Sequence, residues 1–187
     1  MRALNEPVAR EANAEDECTG KFFEARFKSQ ALLDEQALLT CMTYVDLNPI
    51  RAKIADTPEA SDFTSIKRRI QAAGKGTISK KLARFQGNEF KCEKPQPIPF
   101  SLKDYIELVE WTGRAIHPGK RGCISEKLPP IFKRLKISPE EWTDLALNFE
   151  KHFTQWIGGG KQLQQLCESK RMRHVHGSQH CRQVFNI

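Results

Sequence analysis

The segment from Asp34 to Arg51 constrains this chain most, because it holds a helix start, an apolar face and a stop signal. Asp34 can cap the start, and its negative charge suits the positive end of the helix dipole. Leu38, Cys41, Met42 and Val45 fall at i, i+3, i+4 and i+7, the spacing of one helical face, so they are expected to face the core. Pro49 disfavours helical backbone at Asn48 and predicts the helix end there. At roughly 100° per residue, Tyr44 falls on the flank of the apolar face, where its ring leans on the core and its hydroxyl stays reachable.

The string Tyr44-Val45-Asp46-Leu47-Asn48-Pro49-Ile50-Arg51-Ala52 has a run-up, Phe22-Phe23-Glu24-Ala25-Arg26-Phe27-Lys28, and a helix opening, Asp34-Glu35-Gln36. Together they resemble the C-terminal signature of the single-tyrosine HUH transposases, and most closely the REP-associated tyrosine transposases. Thr57-Pro58-Glu59, Asp62-Phe63-Thr64-Ser65, Tyr105 to Arg114 and Lys120-Arg121-Gly122 extend the resemblance, which covers the first three quarters of the chain well. The resemblance implies an enzyme that acts on single-stranded or hairpin DNA, as a homodimer. In such enzymes a tyrosine hydroxyl attacks a phosphodiester, leaving a 5′-phosphotyrosine and a 3′-hydroxyl. A phenol of pKa about 10 needs help from a base or metal. The family uses a divalent ion, Mg²⁺ or Mn²⁺, held by a His-hydrophobic-His pair on a strand ahead of the tyrosine helix.

No histidine precedes His117 in this sequence. The chain therefore reads as an N-terminally truncated member with no metal site of its own, expected to be inactive. The rival readings are a non-catalytic nucleic-acid-binding module and an unselected gene remnant. Tyr44 is the candidate nucleophile, and the alternative is a structural residue under the Asn-Pro turn. Members also carry a tyrosine about two turns earlier, where this chain has Ala37 and Leu38. His174-Val175-His176 spells the metal pair, but it follows a basic tail without a strand pattern and on the wrong side of the tyrosine helix.

The net charge of +7 is unevenly spread. Residues 1–66 carry 7 basic and 12 acidic side chains, whereas 67–94 carry 9 basic and 2 acidic. Clustered Lys and Arg gain affinity for a phosphate backbone by releasing counterions. The expected DNA contacts are Arg26, Lys28, Arg51, Lys53, Lys67, Arg68, Arg69, Lys80, Lys81 and Arg84. The six cysteines form no Cys-x-x-Cys pair, which leaves a structural zinc site little support. The opening residues do not make a secretory signal, and no run of 18 apolar residues exists. A cytoplasmic protein without a membrane partner is expected.

The fold expected is mainly α: a remnant of an α+β, ferredoxin-like transposase domain over 1–73, then a small helical C-terminal domain. A basic Pro/Gly linker is expected over 74–100, with the helical extension and its basic tail over 101–187. Helices are expected over 101–116 and 131–135. The best-signalled helix opens on Ser138-Pro139-Glu140-Glu141, a capping box, and runs with an aromatic stripe to Trp156. Gly158-Gly159-Gly160 is expected to end it, as a cap and linker and not an anion cradle.

Overall fold

The computed structural model describes residues 2–25, 28–79, 81–86, 97–116, 129–153, 155–175, 181 and 185. The fold is mainly helical, with eight α-helices and two short strands among these residues. Helix α1 spans Arg2–Glu15 and buries no residue. Strand β1 is Ala31–Leu32, and helix α2, Glu35–Asp46, follows directly. Asp34 caps α2 as expected, accepting the Ala37 N–H at 2.8 Å.

The helix stops just ahead of Asn48-Pro49, but Pro49 also starts another. The chain leaves α2 at Asp46, and Pro49 sits in the first turn of a second short helix, α3, Asn48–Arg51. The fixed φ of proline suits a helix start as well as a stop. A 3₁₀ turn at Pro58–Ala60 leads to α4, Ser65–Gly74, capped by Thr64. Then come α5, Leu102–Ile116, and α6, Ile131–Leu135.

Helix α7, Pro139–His152, has the full capping box: Ser138 Oγ accepts the Glu141 N–H at 3.2 Å, and Glu141 Oε2 accepts the Ser138 N–H at 3.1 Å. It ends at His152, short of the expected Trp156, after a kink at Asn148. Trp156–Ile157 is instead strand β2, paired in parallel with β1, Ala31 opposite Trp156 and Leu32 opposite Ile157. The glycines after it open a helix rather than ending one, since α8 spans Gly160–Lys170 with Gly159 as its N-cap. Asp34 occupies that N-terminus: its Oδ2 accepts the Gly159 N–H at 2.6 Å. One carboxylate thus caps two helices, one with each oxygen.

The crossing at Asp34 leaves no room for a side chain at Gly158. A Cβ there would stand 2.8 Å from Leu33 Cβ and 2.9 Å from Asp34 Oδ2. Gly158→Ala is therefore expected to cost about 1–3 kcal/mol, the range for overpacking, read as a lower denaturation midpoint. An unchanged midpoint would mean that this crossing carries no stability.

The core corrects two expectations. First, 74–100 does not separate two cores. A single cluster joins Leu39, Leu47 and Ile50 to Trp142, Phe149 and Phe185, and α2 packs on α7. Second, α2 buries a different face. Ala37, Leu39, Thr40, Thr43 and Asp46 turn inward, while Leu38, Cys41 and Met42 are half-buried and Val45 is 57% exposed. Partners meet two of the inner polar side chains: Thr40 donates to the Gln36 carbonyl at 2.8 Å, and Gln36 donates to the Leu135 carbonyl at 2.7 Å.

Candidate nucleic-acid interface

Residues Tyr44, Asn48 and Arg51 meet in space across the α2–α3 junction at Leu47. The Tyr44 ring packs on Phe149 of α7, with centroids 5.1 Å apart. The Arg51 guanidinium lies over the Tyr44 ring, 3.9 Å from its centroid, and donates to the hydroxyl oxygen at 3.1 Å. Arg51 also reaches Asn48 Oδ1 at 3.5 Å. The tyrosine is half-buried, ring inward, as its place on the flank of the helix implied.

Burial pushes the Tyr44 pKa above that of an ordinary phenol. Arg51 pulls it back through a hydrogen bond and its charge, while Glu150 of α7 adds to the rise. The net effect favours the neutral hydroxyl, which is the weaker nucleophile.

The basic residues divide into three groups. Lys28, Lys53, Arg68, Lys81 and Arg84 are exposed. Lys67 forms an ion pair with Asp62. Arg69 is turned inward, only 7% exposed, and this corrects its expected role as a phosphate contact. Its guanidinium donates to the Ala83 carbonyl at 3.0 Å and lies 4.6 Å over the Phe85 ring. That bond folds the segment carrying Lys81 and Arg84 back beside α4. Arg26 and Lys80 lie outside the described residues, as do His176 and residues 117–122.

Sequence reasoning missed Asp46, the most heavily bonded side chain of the signature. It is 2% exposed. Its Oδ1 accepts the N–H groups of Ser65 (3.0 Å) and Ile66 (3.2 Å) at the N-terminus of α4. Its Oδ2 accepts the Ser65 hydroxyl at 2.9 Å and the Tyr105 hydroxyl at 2.6 Å. Burial, then the nearby Asp46, push the Tyr105 pKa well above its ordinary value. Burial lowers that of Arg69, which Tyr105 and Asp46 oppose. The signal was available: Leu39, Thr43, Asp46, Leu47 and Ile50 recur at helical spacing, but two of the five are polar. Two residues apart on one helix, Tyr44 and Asp46 point about 200° apart, Tyr44 onto Phe149 of α7 and Asp46 towards α4 and α5.

No family model, curated protein or solved structure matches the chain. The divalent ion implied by the resemblance does not fit the groups around Tyr44, where the hydroxyl faces the cationic Arg51. Among the described residues no three His, Cys, Asp or Glu side chains are grouped to hold a metal. Nor is any helix among them long and apolar enough to cross a membrane.

Proposed function

We propose that this chain binds single-stranded or hairpin DNA as a protein of the REP-associated tyrosine transposase type. In this reading residues 1–73 correspond to the C-terminal part of the family's ferredoxin-like catalytic domain, and 101–187 to a helical extension. The observation that carries it is the pairing of the two signature residues Tyr44 and Arg51 at a half-buried surface. A guanidinium 3.1 Å from a hydroxyl offers a phosphate both a cationic donor and a neighbouring nucleophile. The exposed Lys28, Lys53, Arg68, Lys81 and Arg84 supply further phosphate contacts.

Binding without cleavage is the expected activity. Burial and Glu150 favour the neutral Tyr44 hydroxyl, the weaker nucleophile. The test is binding of the purified chain to single-stranded and hairpin DNA across a salt series, with a covalent-adduct assay in Mg²⁺ or Mn²⁺. Affinity should fall steeply with salt, and Arg51→Ala should reduce the logarithmic salt slope by about 0.7 for a single strand. Tyr44→Phe should leave binding intact. Absent or salt-insensitive binding would sink the reading. An adduct lost in Tyr44→Phe would instead make Tyr44 an active nucleophile.

A further inference from the structure

From Phe63 to Asn88 the sequence holds seven basic residues and no acidic one. Arg68, Lys75, Lys81 and Arg84 of that run are exposed, whereas Arg69 is buried. Burying a guanidinium costs free energy unless its donors are met, and the Arg69 Nε has no hydrogen-bond partner among the described residues. Tyr105 and Asp46 favour its charge from nearby, but the Asp46 oxygens are already taken by Ser65, Ile66 and Tyr105. An apolar side chain of similar length would fill this place at lower cost. What the cation adds is a tie to one segment.

Residues 81–86 are fastened from two sides. Arg69 donates to the Ala83 carbonyl at 3.0 Å, and its guanidinium lies over the buried Phe85 ring. That ring also stacks on Tyr105, with centroids 5.2 Å apart. Around it the backbone bridges to Ile98: the Gln86 N–H donates to the Ile98 carbonyl at 2.8 Å, and the Ile98 N–H to the Arg84 carbonyl at 2.7 Å. Lys81 and Arg84, on either side of Ala83, stay exposed.

We propose that Arg69 is a positioning residue, which holds Lys81 and Arg84 beside α4 so that they join Arg68 in one phosphate-binding surface for single-stranded DNA. The proposal rests on the DNA-binding reading and gives its strand a place on the molecule. A stretch with cations and no carboxylate suits a polyanion. A segment fixed beforehand loses less freedom when the strand binds, so its two cations contribute more.

Binding of the full chain to a single-stranded oligodeoxythymidylate across a salt series tests it, with trypsin digestion of the free protein as a second readout. Each phosphate contact adds about 0.7 to the logarithmic salt slope of a single strand, so Lys81→Ala with Arg84→Ala should lower the slope by about 1.4. Arg69→Met should lower it by a similar amount, and adding it to that double variant should lower it no further. Cleavage after Lys81 and Arg84 should quicken about tenfold in Arg69→Met, the factor for losing one hydrogen bond to a charged group. Phe85→Leu loosens the same segment without changing any charge. Its slope should fall too, and it decides the matter if Arg69→Met misfolds. A fall of about 0.7 in Arg69→Met that adds to the double variant would make Arg69 a phosphate contact and overturn the proposal. An unchanged slope in both Arg69→Met and Phe85→Leu would also overturn it, leaving Arg69 a counter-charge for Asp46. A wild-type chain that binds hairpin DNA but not this strand would overturn the proposal alone; one that binds neither would remove the DNA-binding reading with it.

Discussion

Asp46→Ala is expected to cost about 3–5 kcal/mol of folding stability, the range for removing one member of a buried, multiply bonded charged group. The carboxylate joins three helices. It closes the N-terminus of α4 through Ser65 and Ile66 and holds the buried Tyr105 hydroxyl of α5. Alanine would leave those donors without their partner, and the buried ones, the Ile66 N–H and the Tyr105 hydroxyl, cost the most. Tyr105→Phe removes one bond and should cost less, about 1–3 kcal/mol, because Asp46 keeps its other donors. The two variants also separate by pH. A folded-state pKa raised above the unfolded value of about 10 contributes stability that is fully present below pH 10. That contribution fades as pH climbs from there towards the folded value. Chemical denaturation across this window should show an alkaline loss in wild type that Tyr105→Phe blunts. Equal costs for the two substitutions would refute the assignment of Asp46 as the common tie.

Trp142→Ala should be comparably severe, about 3–5 kcal/mol. The indole is fully buried, and its Nε1 donates to Thr112 Oγ1 at 2.9 Å on α5. Its loss opens a void beneath Phe132, whose ring stands edge-on to it, and removes an anchor between α5 and α7. The informative part is the shape of the unfolding curve. Because α2 packs on α7, damage in the last third should weaken the first third equally. Tryptophan fluorescence and far-ultraviolet circular dichroism should therefore trace one shared transition at a lower midpoint. Two separated transitions would restore independent units on either side of 74–100.

The parts of this fold that sequence revealed are those decided within a few residues. The Ser138 capping box and the Asp34 cap are local chemistry, and each appears where the residues placed it. What was hidden depends on partners far along the chain. Periodicity counts apolar side chains, so it chose Leu38, Cys41, Met42 and Val45 for the core. The inner face instead includes Thr40, Thr43 and Asp46. The Gln36 carbonyl meets Thr40 and donors of α4 and α5 meet Asp46, while the Thr43 hydroxyl has no partner among the described residues. Likewise Gly158-Gly159-Gly160 reads as a helix end only while the strand before it is unseen, and two residues of strand give no periodicity. In the candidate interface, the signature singled out Tyr44 and Arg51 separately, and the structure brings the two side chains together. Arg69 was misassigned because a run of basic residues on a helix does not say which of them turns inward.

The shared carboxylate of Asp34 also sets an order of events during synthesis. Its second partner, the Gly159 N–H, lies 125 residues further on. At 5–20 residues per second, a ribosome takes roughly 6–25 s to deliver that partner. Throughout that interval the first third of the chain has no β2 to pair with and no α7 to cover its inner helix face. The nascent polypeptide must wait with these surfaces bare, and its safe passage depends on whatever shields them until the last fifth emerges.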